Sequence, residues 1–288
     1  MAELIQTKRG SGRQSLAAIS GATGGLGKAF AVECASRGWD LFLTDLNPEA
    51  LETLAGGLRN TYGVNVLTHV CDLTDPASRA ALFERARSDR LRFWALVNVA
   101  GVDYEGPFYE QTRQQIRTII RLNVEGTLEM THGLLEYRDP LVPFRIINVA
   151  SLAAFYPMPV KATYAASKRF LLDFSLALRE EVRELGATVT VLCPAGLPTT
   201  RECVQAIEAQ GWMGQVTTQN IGTVANDTLN CALAGRAVCI PGLANRALQL
   251  LGSLAPVPLV VSLISSRWKS AREKRGRGRQ EAVLEGAG

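Results

Sequence analysis

The sequence predicts an α/β protein built on a doubly wound parallel sheet of about seven strands, and three observations predict it. Short apolar runs alternate with longer segments of helical period from Ser15 to about residue 240. No linker-like stretch or solenoid-spaced repeat interrupts the alternation, so residues 15–242 read as one domain. Polar and glycine-rich positions gather at the ends of the apolar runs, the edge at which open parallel sheets bind ligands.

The expected strands are Leu16–Ser20, Asp40–Thr44, Val64–Val70, Phe93–Val99, Phe144–Ala150, Thr188–Cys193 and Ala237–Ile240. Helical stretches lie between them near 26–37, 48–60, 75–88, 111–136, 163–185 and 221–234. Right-handed crossovers place such helices on both faces of a parallel sheet. Residues 1–14 are polar and basic without periodicity and read as a loose arm. Residues 243–288 read as an apolar flap with a basic tail.

Composition excludes several function classes. The chain is 47% apolar and 20% charged, with a net charge of +4. Seven Lys or Arg residues fall between Arg267 and Arg279, so the rest of the chain is slightly acidic. That argues against a nucleic-acid surface, which needs a basic face on the folded body. The two histidines, His69 and His132, are far apart, and the six cysteines form no CxxC pair, so no metal site is expected. The start carries no secretory pattern, and the cytoplasm is the expected compartment. Ala247–Ser266 is uncharged and runs into the basic cluster, but Gly252, Pro256 and Pro258 make it a poor spanning helix. An apolar flap or subunit contact followed by a solvated tail is the expectation for it, with weak membrane-surface contact through this C-terminal tail as the alternative.

The first strand leads into Ser20-Gly21-Ala22-Thr23-Gly24-Gly25-Leu26-Gly27. Glycines there let the chain turn sharply and let a pyrophosphate approach a helix N-terminus, where free N–H groups favour an anion. A P-loop is excluded, because Lys28 is followed by Ala29 and residue 22 is Ala. A glycine-rich turn without a ligand stays open. Asp45 ends the second strand, where an acid can accept from both ribose hydroxyls of NAD and repel a 2′-phosphate. No Lys or Arg occupies positions 22–26 or 46–47, which favours NAD over NADP. Asp45 as a helix cap before Asn47-Pro48 is the alternative. Asp72, after the third strand, can take the adenine amino group or cap the helix after Thr74.

Tyr164 and Lys168 lie four apart in a helical segment, hence on one face. An unperturbed phenol has a pKa of about 10. A neighbouring ammonium lowers it and makes Tyr164 a candidate acid/base. Ser151 follows the fifth strand, where its hydroxyl can hydrogen-bond a reacting oxygen. Asn123 sits in the middle of the long helical stretch before that strand. Tyr and Lys at this spacing also occur in helices with no catalytic role.

Together these motifs resemble the short-chain dehydrogenase/reductase family, in its short single-domain, ketoreductase-like branch, over about residues 15–242. The resemblance rests on Ser20-Gly21 with Gly25 and Gly27, Asp72, Asn98-Val99-Ala100-Gly101, Asn123, Ser151, Tyr164 with Lys168, and Pro194 with Thr199. It implies a Rossmann fold and an NAD-dependent oxidoreductase interconverting a secondary alcohol and a ketone. In that family the tyrosine is the general acid/base and the serine orients the substrate. The lysine binds the nicotinamide ribose and lowers the tyrosine pKa, and the asparagine holds a relay water. The positions implied for the cofactor are Gly21, Thr23, Gly25, Leu26, Gly27, Asp45, Leu46, Asp72, Leu73, Asn98, Ala100, Gly101, Tyr164, Lys168, Pro194, Leu197 and Thr199. Three departures stand out: Ser20 for the usual Thr, Val99 for the second Asn of the Asn-Asn-Ala-Gly motif, and Ala195 for the Gly after Pro194. None removes a catalytic group.

Segment 199–220 is expected over the pocket, supplying Cys203, Ile207, Trp212 and Met213, with Tyr104, Phe155, Tyr156 and Met158 opposite. Such walls suit an apolar, hydroxysteroid-like or fatty small molecule better than a sugar, although ordinary lid packing explains them equally. A non-catalytic NAD sensor and an epimerase or dehydratase with transient oxidation are the rival functions. A homodimer or homotetramer pairing Thr112–Glu136 or Thr163–Leu185 is the expected assembly.

Overall fold

The computed structural model describes residues 15–198 and 217–266. Seven strands, β1 (Leu16–Ser20), β2 (Leu41–Asp45), β3 (Val66–Val70), β4 (Phe93–Asn98), β5 (Phe144–Val149), β6 (Ala187–Leu192) and β7 (Val238–Cys239), form one sheet in the order β3-β2-β1-β4-β5-β6-β7. All neighbouring pairs are parallel. This is the doubly wound Rossmann-type sheet, and its strand order reverses between β1 and β4, where Ser20 pairs with Asn98.

The helices are α1 (Gly25–Ser36), α2 (Pro48–Tyr62), α3 (Pro76–Ser88), α4 (Arg113–Ile119), α5 (Thr127–Glu136), α6 (Ala162–Glu181), α7 (Ile221–Leu233) and α8 (Leu243–Leu254). Successive strand residues face opposite ways, so each strand feeds two cores. Ala17 and Ile19 join Phe30, Leu51 and Val224 from α1, α2 and α7 on one face. Leu16 and Ala18 join Leu82, Met130 and Leu134 from α3 and α5 on the other. Burial on both faces is why these strands read as continuous apolar runs.

The long helix expected over 111–136 is instead three pieces, because a π-helical segment, Ile120–Gly126, separates α4 from α5. Asn123 lies in its middle and is fully buried. Its Oδ1 accepts from Val102 N (2.8 Å), and its Nδ2 donates to Val102 O (3.0 Å) and Ser167 Oγ (3.1 Å). Gly126 permits the neighbouring approach, since a Cβ there would lie 3.1 Å from Leu73 O. Arg79, 1% exposed, ties α3 to this segment through Glu125 (2.6 Å) and to α5 through Glu129 (2.5 Å), and it also donates to Leu73 O (2.6 Å).

The expected apolar flap contains helix α8 and a further helical segment at 257–266. Among the described residues, no helix is long and apolar enough to cross a membrane. The expected arm at 1–14 and the basic run from Arg267 lie outside the described residues.

Candidate functional site

At the carboxyl end of β1 the chain reverses through Gly21, whose φ of +64° is a left-handed conformation that favours glycine. A Cβ at Gly21 would also meet Ala100 at 2.8 Å, so this loop and the one after β4 touch where the strand order reverses. Gly27 is held tighter still, because a Cβ there would lie 2.0 Å from Gly21 O. Helix α1 then starts at Gly25 with no side-chain cap and no acid in its first turn. Its N-terminal N–H groups therefore meet no competing side-chain acceptor, an arrangement that fits a pyrophosphate.

Asp45 stands on the same edge, at the carboxyl end of β2. Its Oδ2 accepts from Thr23 N (2.8 Å) and its Oδ1 from Leu46 N (2.7 Å), so both oxygens are fixed by backbone donors. The alternative of a helix cap falls to Asn47, whose side chain accepts from Ala50 N (2.9 Å). The capping alternative for Asp72 is likewise overturned, because Asp75 caps α3. Asp72 Oδ1 instead accepts from Thr74 N (2.8 Å) and Thr74 Oγ1 (2.7 Å) in a local turn. Leu73 is buried, whereas Leu46 is exposed at the rim.

Asn98 is buried, and its side chain turns into the sheet. Its Nδ2 donates to Thr131 Oγ1 (3.0 Å) and to Asn148 Oδ1 (2.9 Å), while Asn148 Nδ2 donates to Ser175 Oγ (2.9 Å). This network ties β4 and β5 to α5 and α6. Val99, in place of a second asparagine, packs partly buried against the apolar core. Asn148 belongs to the frame of the site, and nothing in the sequence but its place in an apolar run marks it.

Ser151 follows β5 in extended backbone and caps a single 3₁₀ turn, Leu152–Phe155. Its Oγ accepts from Ala153 N (3.1 Å), which leaves the hydroxyl proton to donate elsewhere. Beyond β6, Pro194 O accepts from Leu152 N (2.8 Å) and joins the two strand ends. The buried Cys193 thiol beneath accepts from the Ser151 backbone and is pushed up to about 12 by burial.

Tyr164 and Lys168 sit one turn apart on α6, and the Lys168 Nζ lies 5.7 Å from the Tyr164 ring centre. Lys168 is 4% exposed and donates to Val149 O (2.8 Å). Burial lowers its pKa to about 8, with the Asp103 carboxylate acting in the opposite direction. Gly101 makes room for this group, since a Cβ there would lie 3.2 Å from Asn123 Oδ1 and 3.3 Å from Lys168 Nζ. Asn123 and Lys168 therefore converge on one point beside the loop after β4.

A second ammonium went unforeseen. Lys161 Nζ lies 5.8 Å from the Tyr164 ring centre and pairs with Asp103 and with Glu105 (3.6 Å). Its place three residues before Tyr164 is the one signal in the sequence that pointed to it.

Tyr104, Phe155 and Met158 are half-buried. The Tyr156 hydroxyl donates to Leu248 O (2.8 Å) and Gln249 O (3.0 Å), so this residue tethers α8. Leu197 is partly buried against the core, whereas Thr199, Cys203, Ile207, Trp212 and Met213 lie outside the described residues. Among the described residues, no group of three or more His, Cys, Asp or Glu side chains is placed to hold a metal ion.

Known proteins resemble this chain over the same region. A very-long-chain 3-oxoacyl-CoA reductase of Laccaria bicolor is 33% identical over 184 residues, covering 63% of this chain and 54% of that protein. Human 17-beta-hydroxysteroid dehydrogenase type 3 is 30% identical over 185 residues, covering 64% and 59% respectively. The chain thus spans little more than half the length of these curated relatives. A short-chain dehydrogenase from Sphingobium yanoikuyae, solved in complex with NADPH, superposes with a TM-score of 0.69 at 29% identity, covering 83% of this chain and 93% of that one. Residues 15–208 match the family model described as short chain dehydrogenase, and the chain belongs to that family of oxidoreductases.

Proposed function

We propose that this chain is an NAD-dependent oxidoreductase that interconverts a secondary alcohol and a ketone on an apolar, hydroxysteroid-like or fatty substrate. The observation that carries the proposal is the pairing of Tyr164 with the buried Lys168 ammonium, 5.7 Å from its ring, on the rim that also carries Ser151 and the glycine loop. A nicotinamide dinucleotide, when bound, supplies the hydride donor or acceptor.

The chain's own residues supply the proton chemistry. Tyr164 gives its phenolic proton to the carbonyl oxygen in reduction, or takes it from the alcohol in oxidation. Ser151 donates its hydroxyl to the same oxygen, since its acceptor side is already used by Ala153 N. Lys168, as an ammonium, favours the phenolate that forms on Tyr164. Asn123 has both amide groups committed to Val102 and Ser167, so a relay water there relies on its main-chain oxygen.

Asp45 supports NAD as the cofactor, because its fixed carboxylate stands at the end of β2 and repels a 2′-phosphate. Solved neighbours include one in complex with NADPH and one in complex with NAD, so the cofactor is the point to test. The names of the acyl and steroid relatives, with the half-buried Tyr104, Phe155 and Met158, support an apolar substrate. A homodimer or homotetramer is supported by the exposed Phe170, Leu176 and Ile120 on the helices expected to pair. Among the described residues, five buried cysteines are free thiols, which is compatible with a cytoplasmic location.

The test is NADH formation, followed by absorbance, with a panel of hydrophobic secondary alcohols. Turnover with net NADH supports the proposal. NAD binding without turnover assigns a sensor, and product isomerisation without net NADH assigns an epimerase or dehydratase.

A further inference from the structure

Helix α8 is turned inside out. On an α-helix each residue advances about 100°, so Leu243, Leu250 and Leu254 fall within roughly 40° of one another and Gly252 lies on the opposite side. The usual pattern directs the apolar stripe to the core. Here Leu243, Leu250 and Leu254 are 82%, 59% and 77% exposed, while the polar Asn245 is buried at 1%. Asn245 Nδ2 donates to Thr217 O (3.1 Å) and Pro241 O (3.0 Å). Gly252 lies so close to Tyr156 that a Cβ would come within 2.4 Å of its ring. The polar and small side of the helix faces the protein, and the leucines face outward.

The exposed stripe does not end with α8. After the break at Ala255-Pro256, helical residues 257–266 expose Leu259 (54%) and Leu263 (58%). Residues 247–266 carry no charge, Trp268 follows, and seven Lys or Arg residues lie between 267 and 279 with one Glu. Twelve residues of α8 reach about 18 Å, too short for a hydrocarbon core of about 30 Å. Short apolar helices that cannot span, followed in the sequence by a tryptophan and a basic cluster, match what a bilayer surface with anionic headgroups binds.

We propose that the outward face of α8 and residues 257–266 docks this protein onto an anionic lipid surface. The proposal stands apart from the alcohol–ketone reading, because it needs no turnover. Tyr156 joins α8 to the segment five residues beyond Ser151, so the docking helix and the candidate active-site rim are linked through one short segment.

The test is co-sedimentation of the full chain with vesicles of phosphatidylcholine alone or with added phosphatidylglycerol. The expected result is at least about tenfold stronger partitioning onto the anionic vesicles, weakened by salt. The double variant Leu250→Asp, Leu254→Asp changes two exposed positions, so it keeps the wild-type melting temperature and loses about tenfold or more in partitioning. Failure of the wild type to bind anionic vesicles, or binding that survives the double variant, overturns the proposal. So does light scattering that finds the leucines holding two copies together without vesicle binding.

Discussion

The buried Lys168 ammonium donates to the main-chain oxygen of Val149 at 2.8 Å, two residues before Ser151. This bond fixes the cation at the carboxyl end of β5 at the expense of its hydration. An ordinary lysine titrates near 10.5, whereas burial brings Lys168 to about 8 in the folded chain. The native state therefore releases this proton first, and between about 8 and 10.5 the unfolded chain carries more protons. Stability accordingly rises with pH across that window, and the whole penalty is present below it. Its size at neutral pH is on the order of 3 kcal/mol.

Lys168→Met should remove that penalty while leaving Val149 O without this donor, which costs about 1–3 kcal/mol. The variant is expected to be as stable as wild type at pH 7 or up to about 2 kcal/mol more stable. From pH 8 upward the balance should shift toward wild type, which becomes the more stable of the two as it sheds its proton and keeps the bond to Val149 O. Melting temperatures of both proteins between pH 7 and 10 decide this. A difference that stays constant across that range contradicts the assigned burial penalty.

Tyr164→Phe keeps the ring beside the Lys161 and Lys168 cations and deletes the hydroxyl that gives the proton. Turnover should fall by about a hundredfold to ten-thousandfold, the range for a lost acid/base group. Stabilisation by added NAD should persist, because binding of the dinucleotide acts on the fold by mass action. Activity within twofold of wild type would remove Tyr164 from the chemistry.

The glycine loop separates two kinds of glycine. Gly27→Ala places a methyl group 2.0 Å from Gly21 O, so the loop must move and the helix start with it. Dinucleotide affinity should drop by about a hundredfold or more, read as loss of the thermal shift with NAD. Gly24→Ser is the control. Gly24 has φ −70° and ψ 161°, ordinary for any residue, and a Cβ there meets only Gly21 O at 3.4 Å. Binding within about threefold of wild type is expected for it.

The sheet was legible because parallel strands buried on both faces must be apolar along most of their length, as Leu16–Ile19 and Phe93–Val97 are. The rim was legible because glycines and acids interrupt those runs at one end. Periodicity could not locate the π-helical break at Asn123, since it arises from contacts with Val102 and Ser167, distant in sequence. Nor could it place α8, whose leucines face away from the core and so invert the rule by which apolar stripes are read. The Asp45 and Asp72 alternatives needed coordinates, because acids and amides two or three residues apart compete for the same helix starts. Only geometry assigns the caps to Asn47 and Asp75.

Asp45 offers the most direct test of the cofactor. Each of its oxygens accepts one backbone N–H, from Thr23 or Leu46, and each keeps a lone pair for a ribose hydroxyl. A 2′-phosphate would bring negative charge against that carboxylate, a repulsion of about 1–4 kcal/mol at contact distance, depending on solvent exposure. Asp45→Ala removes the repulsion together with the hydroxyl acceptor. The ratio of kcat/KM for NADP to that for NAD should therefore rise by about tenfold to several hundredfold. Both halves of the change should be visible: weaker use of NAD, from the lost hydrogen bonds, and stronger use of NADP, from the lost charge. Thr23 N also loses its acceptor, so Asp45→Asn serves as a companion that keeps an oxygen there without the charge. If selectivity is electrostatic, the asparagine variant moves toward NADP as well, with less loss of NAD. A wild-type enzyme that already prefers NADP would contradict the assignment of Asp45.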